Sequence, residues 1–275
     1  MELKDIQNAQ LSILKEIDRV CKKNNIEYCL AYGSCLGAIR HHGFIPWDDD
    51  IDIYMMIDDY IRFLDLQSEF PDNLFIQTYK TDPDYGLLIG RVRDSKTTMI
   101  ETSEVNLDIN HGVFVDVYPL YNVPISPLKH KISVYEAMLC KLLLYGRSPQ
   151  NRGELMKIGS SVILGIIPHA IRPFLVLKIH KKLIKRKPTG YVSTFYGDGT
   201  NWYFPIEWFV PYCYVQFETN LFPVPSHFGE YLHKQYGDYM KLPPVDKRTV
   251  HHSYSFVDLT KPFIDYKGIK YCMKK

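Results

Sequence analysis

The chain has 275 residues, enough for one large domain or for a domain with an added lobe. Its 33 Lys and Arg residues nearly balance 31 Asp and Glu residues, so the overall charge gives no argument for binding nucleic acid. The polar N-terminal stretch, MELKDIQNAQ, does not resemble an export signal, and the six cysteines show neither CxxC pairs nor zinc-ligand spacing. We therefore predict a cytoplasmic protein with reduced thiols.

The predicted elements begin with an amphipathic N-terminal helix, in which apolar residues recur at helical spacing. A short strand over 27–32 follows and ends at Gly33-Ser34. A strand that ends in Gly-Ser is expected to form a tight turn with exposed backbone N–H groups, which is an arrangement that binds phosphate. A helix over 35–41 would place Arg40 near this turn, and the alternative is that Arg40 is an ordinary surface residue.

The next segment, Trp47–Tyr54, reads WDDDIDIY and is predicted to be extended. Alternate side chains of a strand share a face, so Asp48, Asp50 and Asp52 would lie together. Crowded carboxylates are costly to bury unless a cation neutralises them, and oxygen ligands favour a hard divalent cation such as Mg²⁺. We therefore predict a metal site. The alternatives are a solvated acidic surface and a calcium-binding loop, in which Ile53 would occupy the position that requires glycine.

Two further segments suggest strands with functional side chains. In LLIGRVR, Arg91 and Arg93 share a face, and paired guanidinium groups suit phosphate oxygens, although two surface arginines would have the same pattern. In GVFVDVYPL, Asp116 is a single acid within an apolar strand and needs a partner. A metal shared with Asp50 and Asp52 would provide one, and an arginine partner or a capping role is the alternative. Further elements are predicted as a helix at 58–70 and strands at 74–79, 87–93, 97–101 and 112–120.

The segment 159–187 combines an apolar stretch with a basic run, KIHKKLIKRK. Prolines and polar side chains interrupt the apolar stretch, which argues against a membrane span. An apolar helix followed by basic residues is typical of a membrane interface, so this segment is a candidate for peripheral membrane contact. The interpretation that the sequence favours is a helical hairpin packed on the core with a solvated basic face.

The remaining elements are a helix from Ser126-Pro127 to Tyr145 and a C-terminal part rich in aromatic residues. Strands are predicted there at 191–196, 202–209 and 212–222, followed by a helix at 226–236. The tail from residue 242 is predicted to be mostly irregular. His251-His252 could contact substrate, but adjacent histidines are more often a surface feature, and no pattern of metal ligands surrounds them.

A Gly-Ser turn, Asp-Ile-Asp on one strand and a third Asp on another form the signature of the nucleotidyltransferase superfamily. More narrowly, YGSCLGAIRHHGFIPWDDDIDI resembles the LicD family, which includes the fukutin-type transferases. The resemblance extends to GRVRDSKTT and GVFVDVYPL and continues more weakly in FETNLFPVP and YGDYMKLPP. The chain departs from the family pattern at Cys35 and at Thr219-Asn220.

The resemblance implies an α/β (α+β) fold, with a nucleotidyltransferase-type mixed sheet flanked by helices and carrying a helical insertion. It divides the chain into a catalytic core at 1–125, a helical insertion at 126–190 and a C-terminal part at 191–275 that completes the same domain. The protein would act in the cytoplasm, or at the inner face of the membrane.

The activity implied by the resemblance is metal-dependent transfer of a phospho-substituent from a CDP-alcohol to a glycan hydroxyl. The favoured donor is CDP-choline, and the acceptor would be lipopolysaccharide, capsule or teichoic acid, either free or lipid-linked. Nucleotidyl transfer to a sugar or small molecule and a non-catalytic glycan-binding role remain as alternatives. An intact acid cluster argues against the non-catalytic role.

The resemblance, taken with the strand patterns, assigns the site residues. Mg²⁺ or Mn²⁺ would bind Asp50 and Asp52, Asp116 would complete the catalytic set, and Asp48 is a further candidate ligand. The predicted donor-phosphate ligands are Gly33, Ser34, Arg40, Arg91 and Arg93.

Overall fold

The computed structural model describes residues 2–147, 153–195, 202–250 and 252–273, and it combines helices with a curled sheet, which confirms the α/β fold class. The helices of the described residues are α1 (Leu3–Asn24), α2 (Tyr32–His41), α3 (Ile57–Leu64), α4 (Pro127–Tyr145), α5 (Glu154–Ile166), α6 (Arg172–Ile184) and α7 (Phe228–Tyr236). The strands are β1 (Cys29–Leu30), β2 (Asp52–Met56), β3 (Leu74–Gln77), β4 (Gly90–Asp94), β5 (Thr98–Glu101), β6 (Val113–Asn122), β7 (Tyr191–Ser193), β8 (Phe204–Pro205), β9 (Tyr212–Phe217), β10 (Asn220–Pro225) and β11 (Tyr254–Asp258).

The chain divides into two compact units. The first comprises Met1–Gln77, Ile89–Pro119 and Ile206–Lys275, and the second comprises Thr78–Leu88 and Leu120–Pro205. The predicted helical insertion at 126–190 falls within the second unit, and its boundaries stay a prediction. Each unit has its own buried apolar residues and is described by itself below.

The first unit is built on a sheet with strand order β1-β2-β6-β4-β3. Its central strand, β6, is apolar on both faces and almost entirely buried, as expected for a strand that has neighbours on both sides. Strand β4 runs antiparallel to β6, with Arg91 directly opposite Asp116 and Arg93 opposite Phe114. The predicted shared face of the two arginines is therefore confirmed, and it is the face that carries Asp116.

Helix α1 covers this unit through the apolar face that its spacing predicts, with Ile13, Leu14, Ile17 and Val20 fully or nearly fully buried. Two polar side chains on the same helix, Gln7 and Gln10, are buried as well. Burial of an amide is costly unless it is hydrogen-bonded, so these glutamines must have partners within the fold.

Two local predictions in the first unit are wrong. Trp47–Tyr54 is not one strand, because β2 begins only at Asp52 and residues 48–51 form a loop that starts from a turn between Asp48 N and Ile45 O. Gly33-Ser34 is not a turn that follows a strand, because both residues lie in the first turn of α2. The backbone N–H of Asp48 donates to the carbonyl oxygen of Ile45, and that of Cys35 donates to Ala31 in the first turn of α2, so these groups are bound without a strand partner.

The C-terminal residues of the first unit also differ from the prediction. The run predicted as one strand at 212–222 is a hairpin, β9–β10, in which Phe217 pairs with Asn220. The tail predicted to be irregular contains β11, which pairs with β5 in antiparallel fashion. A strand that pairs far along the sequence has no local signal beyond alternation, and here the alternation is short.

The second unit contains the end of β6, the short strands β7 and β8, and helices α4, α5 and α6. Helix α4 begins at Pro127 and ends at Tyr145, as predicted, and Gly146 terminates it with a left-handed φ of +67°. The strands predicted at 191–196 and 202–209 are shorter than expected, and residue 196 of the first lies outside the described part. None of the single helices described is long and apolar enough to cross a membrane, but Glu154–Ile166 with His169–Ile184 would suffice by length and composition, with an 86° bend between them.

Candidate active site

Residues 48–51 comprise three aspartates and Ile51, and they form what we call the acidic loop. Two buried glutamines of α1 donate hydrogen bonds to this loop. Gln7 Nε2 donates a hydrogen bond to the carbonyl oxygen of Asp48 at 2.9 Å. Gln10 Nε2 donates to the carbonyl oxygen of Asp49 at 2.8 Å. Both bonds are buried, so water competes little with them and they fix the path of the loop. The sequence analysis assigned no role to either glutamine.

The predicted phosphate cradle lies against this loop, but its residues already have protein partners. Ser34 Oγ accepts a hydrogen bond from the backbone N–H of Asp52 at 2.9 Å, which ties α2 to the start of β2. A Cβ atom on Gly33 would lie 2.5 Å from Asp48 Oδ2, so only glycine leaves room for that carboxylate. The first turn of α2 therefore faces a carboxylate of the protein, which is the charge that a helix N-terminus favours.

Burial and mutual repulsion raise the pKa values of the acidic side chains. Burial and the charge of Asp48 raise the pKa of Asp50 to about 8. Burial, together with the charges of Asp50 and Asp116, raises the pKa of Asp52 well above its usual range. Burial also raises the pKa of Asp48 to about 6. These carboxyl groups therefore share a region that is short of positive charge.

Asp116, the predicted third acid, lies on β6 beside this group. Its backbone N–H donates to the carbonyl oxygen of Ile51 at 2.9 Å, so β6 adjoins the end of the acidic loop. Its carboxylate has an arginine beside it, because Arg91 Nε donates to Asp116 Oδ1 at 2.7 Å. Burial nevertheless outweighs the attraction of Arg91 and raises the pKa of Asp116 above its usual range.

Arg91 is part of a buried ion-pair network that includes two acids absent from the sequence analysis. Its Nη1 donates to Glu101 Oε2 at 2.7 Å and to Glu104 Oε1 at 3.1 Å. Its guanidinium carbon lies 3.8 Å from the centre of the Phe114 ring. Burial opposes ionisation of Glu101, but the charges of Arg91 and Arg93 lower its pKa to about 2. On this side of the site, arginines therefore offset most of the negative charge of the acids.

Arg93 is more deeply placed than the prediction supposed. It is fully buried, and its Nε donates to Gln77 Oε1 at 2.6 Å. Its other nitrogens donate to Gly112 O at 2.8 Å and to Glu104 Oε2 at 3.2 Å. Arg40, which the sequence placed near the phosphate, donates instead to the carbonyl oxygen of Tyr239 at 2.7 Å.

His252 is a further side chain that the predicted site did not include. Its Nδ1 lies 3.2 Å from Asp49 Oδ1 and 3.8 Å from Asp50 Oδ2. Burial opposes its charge, but the hydrogen bond to Asp49 and the charges of Asp50 and Asp49 raise the pKa of His252 to about 9. The interpretation of this histidine as a surface feature is therefore wrong, while His251 lies outside the described residues.

The arrangement fits a divalent cation. One ligand atom each from Asp49, Asp50 and His252 lies within 4.8 Å of the others. The buried Asp52 Oδ1 has no hydrogen-bond partner within the described residues, which leaves one carboxylate oxygen unsatisfied beside them. Carboxylate oxygens suit Mg²⁺ and Mn²⁺, and a neutral imidazole suits a transition metal such as Mn²⁺ better than Mg²⁺. The prediction of a metal site named Asp50 but omitted Asp49 and His252.

Comparison with known proteins gives the family. The model of the LicD/FKTN/FKRP nucleotidyltransferase domain matches residues 25–134. The lipopolysaccharide cholinephosphotransferase LicD of Haemophilus influenzae is 30% identical over 263 residues, which cover 92% of this chain and 96% of that protein. The chain belongs to the LicD family. An uncharacterised protein of Rickettsia typhi is 43% identical over 58 residues, which cover 21% of this chain and 19% of that protein.

The family assignment confirms the resemblance found in the sequence, and the matched domain contains the acidic loop, the two arginines and Asp116. The LicD domain model does not reach Gln7, Gln10 or His252, which come from either side of it. In this chain the site is therefore completed by elements outside the matched domain, namely α1 and the segment before β11.

Sequence signals for the missed residues were present but ambiguous. Two arginines on one buried face require counter-ions, which pointed to nearby acids such as Glu101 without selecting them. Asp49 was set aside because the strand interpretation turned it away from its neighbours, and a loop removes that alternation. His252 is distant in sequence from the acidic loop, so only the pairing of β11 with β5 brings it near.

Proposed function

We propose that this chain transfers phosphocholine from CDP-choline to a hydroxyl of a cell-surface glycan, with lipopolysaccharide as the favoured acceptor. The observation that carries the proposal is the alignment with a lipopolysaccharide cholinephosphotransferase along nearly the whole of both chains. The buried group of carboxylates supports it, because a fold that needs no cation has no reason to keep them.

In the reaction, the acceptor hydroxyl attacks the phosphorus that carries choline. A new P–O bond forms to the glycan, and the bond to the CMP phosphate breaks, so CMP leaves with the bonding electrons. The proton of the hydroxyl passes to a carboxylate of the site, for which Asp116 is our candidate. Such a transfer depends on positioning and on neutralising charge rather than on a covalent intermediate with the enzyme.

Asp50 and Asp52 are the proposed ligands of a divalent cation, together with Asp49 and His252. A cation bound there would neutralise the diphosphate of the donor and lower the barrier to departure of CMP. To act as a ligand, His252 must release its proton. Mg²⁺ and Mn²⁺ are both candidates, and the imidazole ligand favours Mn²⁺.

The two arginines have different proposed roles. Arg91 orients the carboxylate of Asp116 through the short hydrogen bond from its Nε, and it remains the candidate for contact with the donor phosphates. Arg93 is assigned a structural role in place of phosphate binding, because it is fully buried and its guanidinium binds Gln77, Gly112 and Glu104. Gly33 and Ser34 are proposed to shape the acidic loop from α2.

The experiment is CMP release from CDP-choline, CDP-glycerol and CDP-ribitol, each with lipopolysaccharide and with Mg²⁺, Mn²⁺ or EDTA. We expect release from CDP-choline only, abolished by EDTA. Asp50→Asn and Asp52→Asn should each lower the rate about a thousandfold or more, because each removes a charged ligand. The matched control is Asp58→Asn, which alters an exposed aspartate of α3 and should keep the wild-type rate.

Analysis of the modified glycan separates the alternatives. Phosphocholine on the acceptor supports the proposal, whereas a nucleotide on the acceptor would assign nucleotidyl transfer. If the wild-type chain releases no CMP and binds neither CDP-choline nor Mn²⁺, the non-catalytic interpretation replaces the proposal.

A further inference from the structure

The second unit carries an apolar surface that its own helices leave open. On α5, Leu155 is 88% exposed and Ile166 is 74% exposed, and on α6 Phe174 is 65% exposed. Six further large apolar side chains of this stretch are exposed, namely Met156, Ile158, Val162, Ile163, Ile171 and Leu177. Scattered exposed apolar residues are ordinary, but a concentration of this kind in a single helical pair marks a surface that contacts something else.

These side chains follow the geometry of the helices. On α5, Leu155, Ile158, Val162 and Ile166 stand three or four residues apart and therefore share one face. Ser160 is the one residue of α5 that is buried. The sequence-based interpretation of a hairpin packed on the core is therefore wrong for α5, although α6 does pack against α4 by Val176, His180 and Leu183.

Neither helix is long enough to span a bilayer. Each has 13 residues, which at about 1.5 Å per residue gives about 20 Å, against about 30 Å for the hydrocarbon core. The two helical segments meet at an 86° bend, where Pro168 interrupts the chain. Short helices with one exposed apolar face are suited to lie in the plane of a membrane interface.

The charges beside this surface select an anionic partner. Between residues 154 and 187 the only acidic residue is Glu154, whereas basic residues recur throughout. Lys178 and Lys181 lie on one face of α6, and Lys185 continues this face directly after the end of the helix. All three are exposed and form no ion pair within the described residues. Phe174 precedes them on that same face, so an apolar side chain is followed by ammonium groups that can reach lipid phosphates.

We propose that α5 and α6 form a docking surface for an anionic lipid bilayer, with the apolar side chains inserted into the interface and the lysines on the headgroups. Charge complementarity favours this occupant over a second copy of the chain, because two copies would bring the same lysines together. The inference does not depend on the proposed reaction, since no residue assigned to the site lies on α5 or α6.

The test is sedimentation of the full chain with vesicles of phosphatidylcholine, either alone or mixed with phosphatidylglycerol. Wild type should bind the mixed vesicles at least about tenfold more tightly than the neutral ones, since each lysine near an anionic surface contributes about fivefold. The triple variant Leu155→Ser, Ile166→Ser, Phe174→Ser should bind at least about tenfold more weakly to both vesicles. The triple variant Lys178→Gln, Lys181→Gln, Lys185→Gln should lose the preference for phosphatidylglycerol.

The matched control is Leu221→Ser, which removes an equally exposed apolar side chain from β10 of the first unit and should leave binding unchanged. Circular dichroism of each variant checks the fold, and CMP release from CDP-choline should persist in all of them if the enzyme is active. Absence of vesicle binding by folded wild type would overturn the proposal, and so would binding that the apolar variant retains. Sedimentation velocity without lipid identifies the rival occupant, because a wild-type dimer that the apolar variant dissociates would assign the surface to a second copy.

Discussion

Two neighbouring groups of buried charged side chains in the first unit differ in how their charges are compensated. Around Arg91 and Arg93, each guanidinium meets carboxyl groups at hydrogen-bond distance, so two cations offset most of the charge of three acids, and we call this the balanced group. Around Asp50 and Asp52, carboxylates meet one another, and burial with repulsion raises their pKa values. The arginines of the balanced group have their partners within the protein, whereas the acidic group has only His252 as a close cation and gains stability when further positive charge arrives. The residues that stabilise the fold by ion pairing are therefore distinct from the adjacent residues that would bind a cation.

Breaking the balanced group should have the largest effect on stability. Arg93→Met removes the cation but keeps much of the volume, leaving Gln77 Oε1, Gly112 O and Glu104 Oε2 without the donor that Arg93 supplies. We expect the free energy of unfolding to fall by about 3–5 kcal/mol. Urea denaturation followed by circular dichroism measures it. The control is Arg62→Met, which breaks a surface ion pair with Asp59 and should cost less than about 1 kcal/mol. An equal loss of unfolding free energy in the two variants would show that the buried ion pairs stabilise the protein no more than the surface pair does.

A buried histidine of the second unit extends this comparison to a titratable side chain that is kept uncharged. His180 is buried, with Nδ1 2.7 Å from the Tyr79 hydroxyl and Nε2 2.7 Å from the Tyr121 hydroxyl. Burial and then the charge of Lys80 lower its pKa to about 4 from an ordinary value of 6.5. The native state therefore resists protonation, so its stability is full above pH 6.5 and falls as the pH drops toward 4.

The loss from this one histidine should reach about 3 kcal/mol at pH 4. Urea denaturation at a series of pH values measures it. His180→Gln keeps hydrogen-bonding capacity but does not titrate, so its stability should depend on pH by about one proton less over this range. His233→Gln alters an exposed histidine of α7 and should retain the wild-type slope. A wild-type slope in the His180 variant would refute the assignment.

Because the acidic group around Asp50 and Asp52 is short of positive charge, we expect a bound metal ion to stabilise the folded protein. Mn²⁺ or Mg²⁺ at about a hundredfold excess over its dissociation constant should raise the free energy of unfolding by about 2.7 kcal/mol. Asp50→Asn should lose this response and, without added metal at pH 7, should change stability by less than about 1 kcal/mol, because Asp50, with its pKa raised to about 8, is already mostly uncharged there. Thermal denaturation with metal and with EDTA tests both points. Equal stabilisation of the variant would place the cation elsewhere.

The smallest effect is expected at the support of the acidic loop. Gln10→Met keeps the size of the side chain but removes the hydrogen bond to the carbonyl oxygen of Asp49, which should cost about 1 kcal/mol. A less fixed loop should also lower turnover in CMP release by about tenfold. Ser12→Ala, a change at an exposed position of the same helix, should affect neither quantity.

Much of the first unit could be predicted from local patterns. Apolar spacing identified α1, and alternation in β4 and β6 put Arg91, Arg93 and Asp116 on the faces that the structure shows. The start of α4 followed from Ser126-Pro127, and the predicted end at Tyr145 is the one found. These signals succeed because they depend on residues within one turn or one strand.

The predictions that failed depend on distant residues. The sequence WDDDIDIY alternates like a strand, but the hydrogen bonds from Gln7 and Gln10 and the turn at Ile45 hold its first half as a loop. The hairpin interpretation failed at α5 because apolar spacing identifies an apolar helix face but does not identify the surface that covers it.

The sequence by itself determined the family and the α/β class, and it selected Asp50, Asp52, Arg91 and Asp116 as candidate site residues, since motif and periodicity are properties of neighbouring residues. Only the tertiary structure decided which charges are matched and which are not. Arg91 meets Asp116 through strand pairing, Glu101 and Glu104 close around the guanidinium, and His252 reaches Asp49 through the segment before β11. Electrostatic free energy depends on distance and burial, and both are set only when the chain has folded.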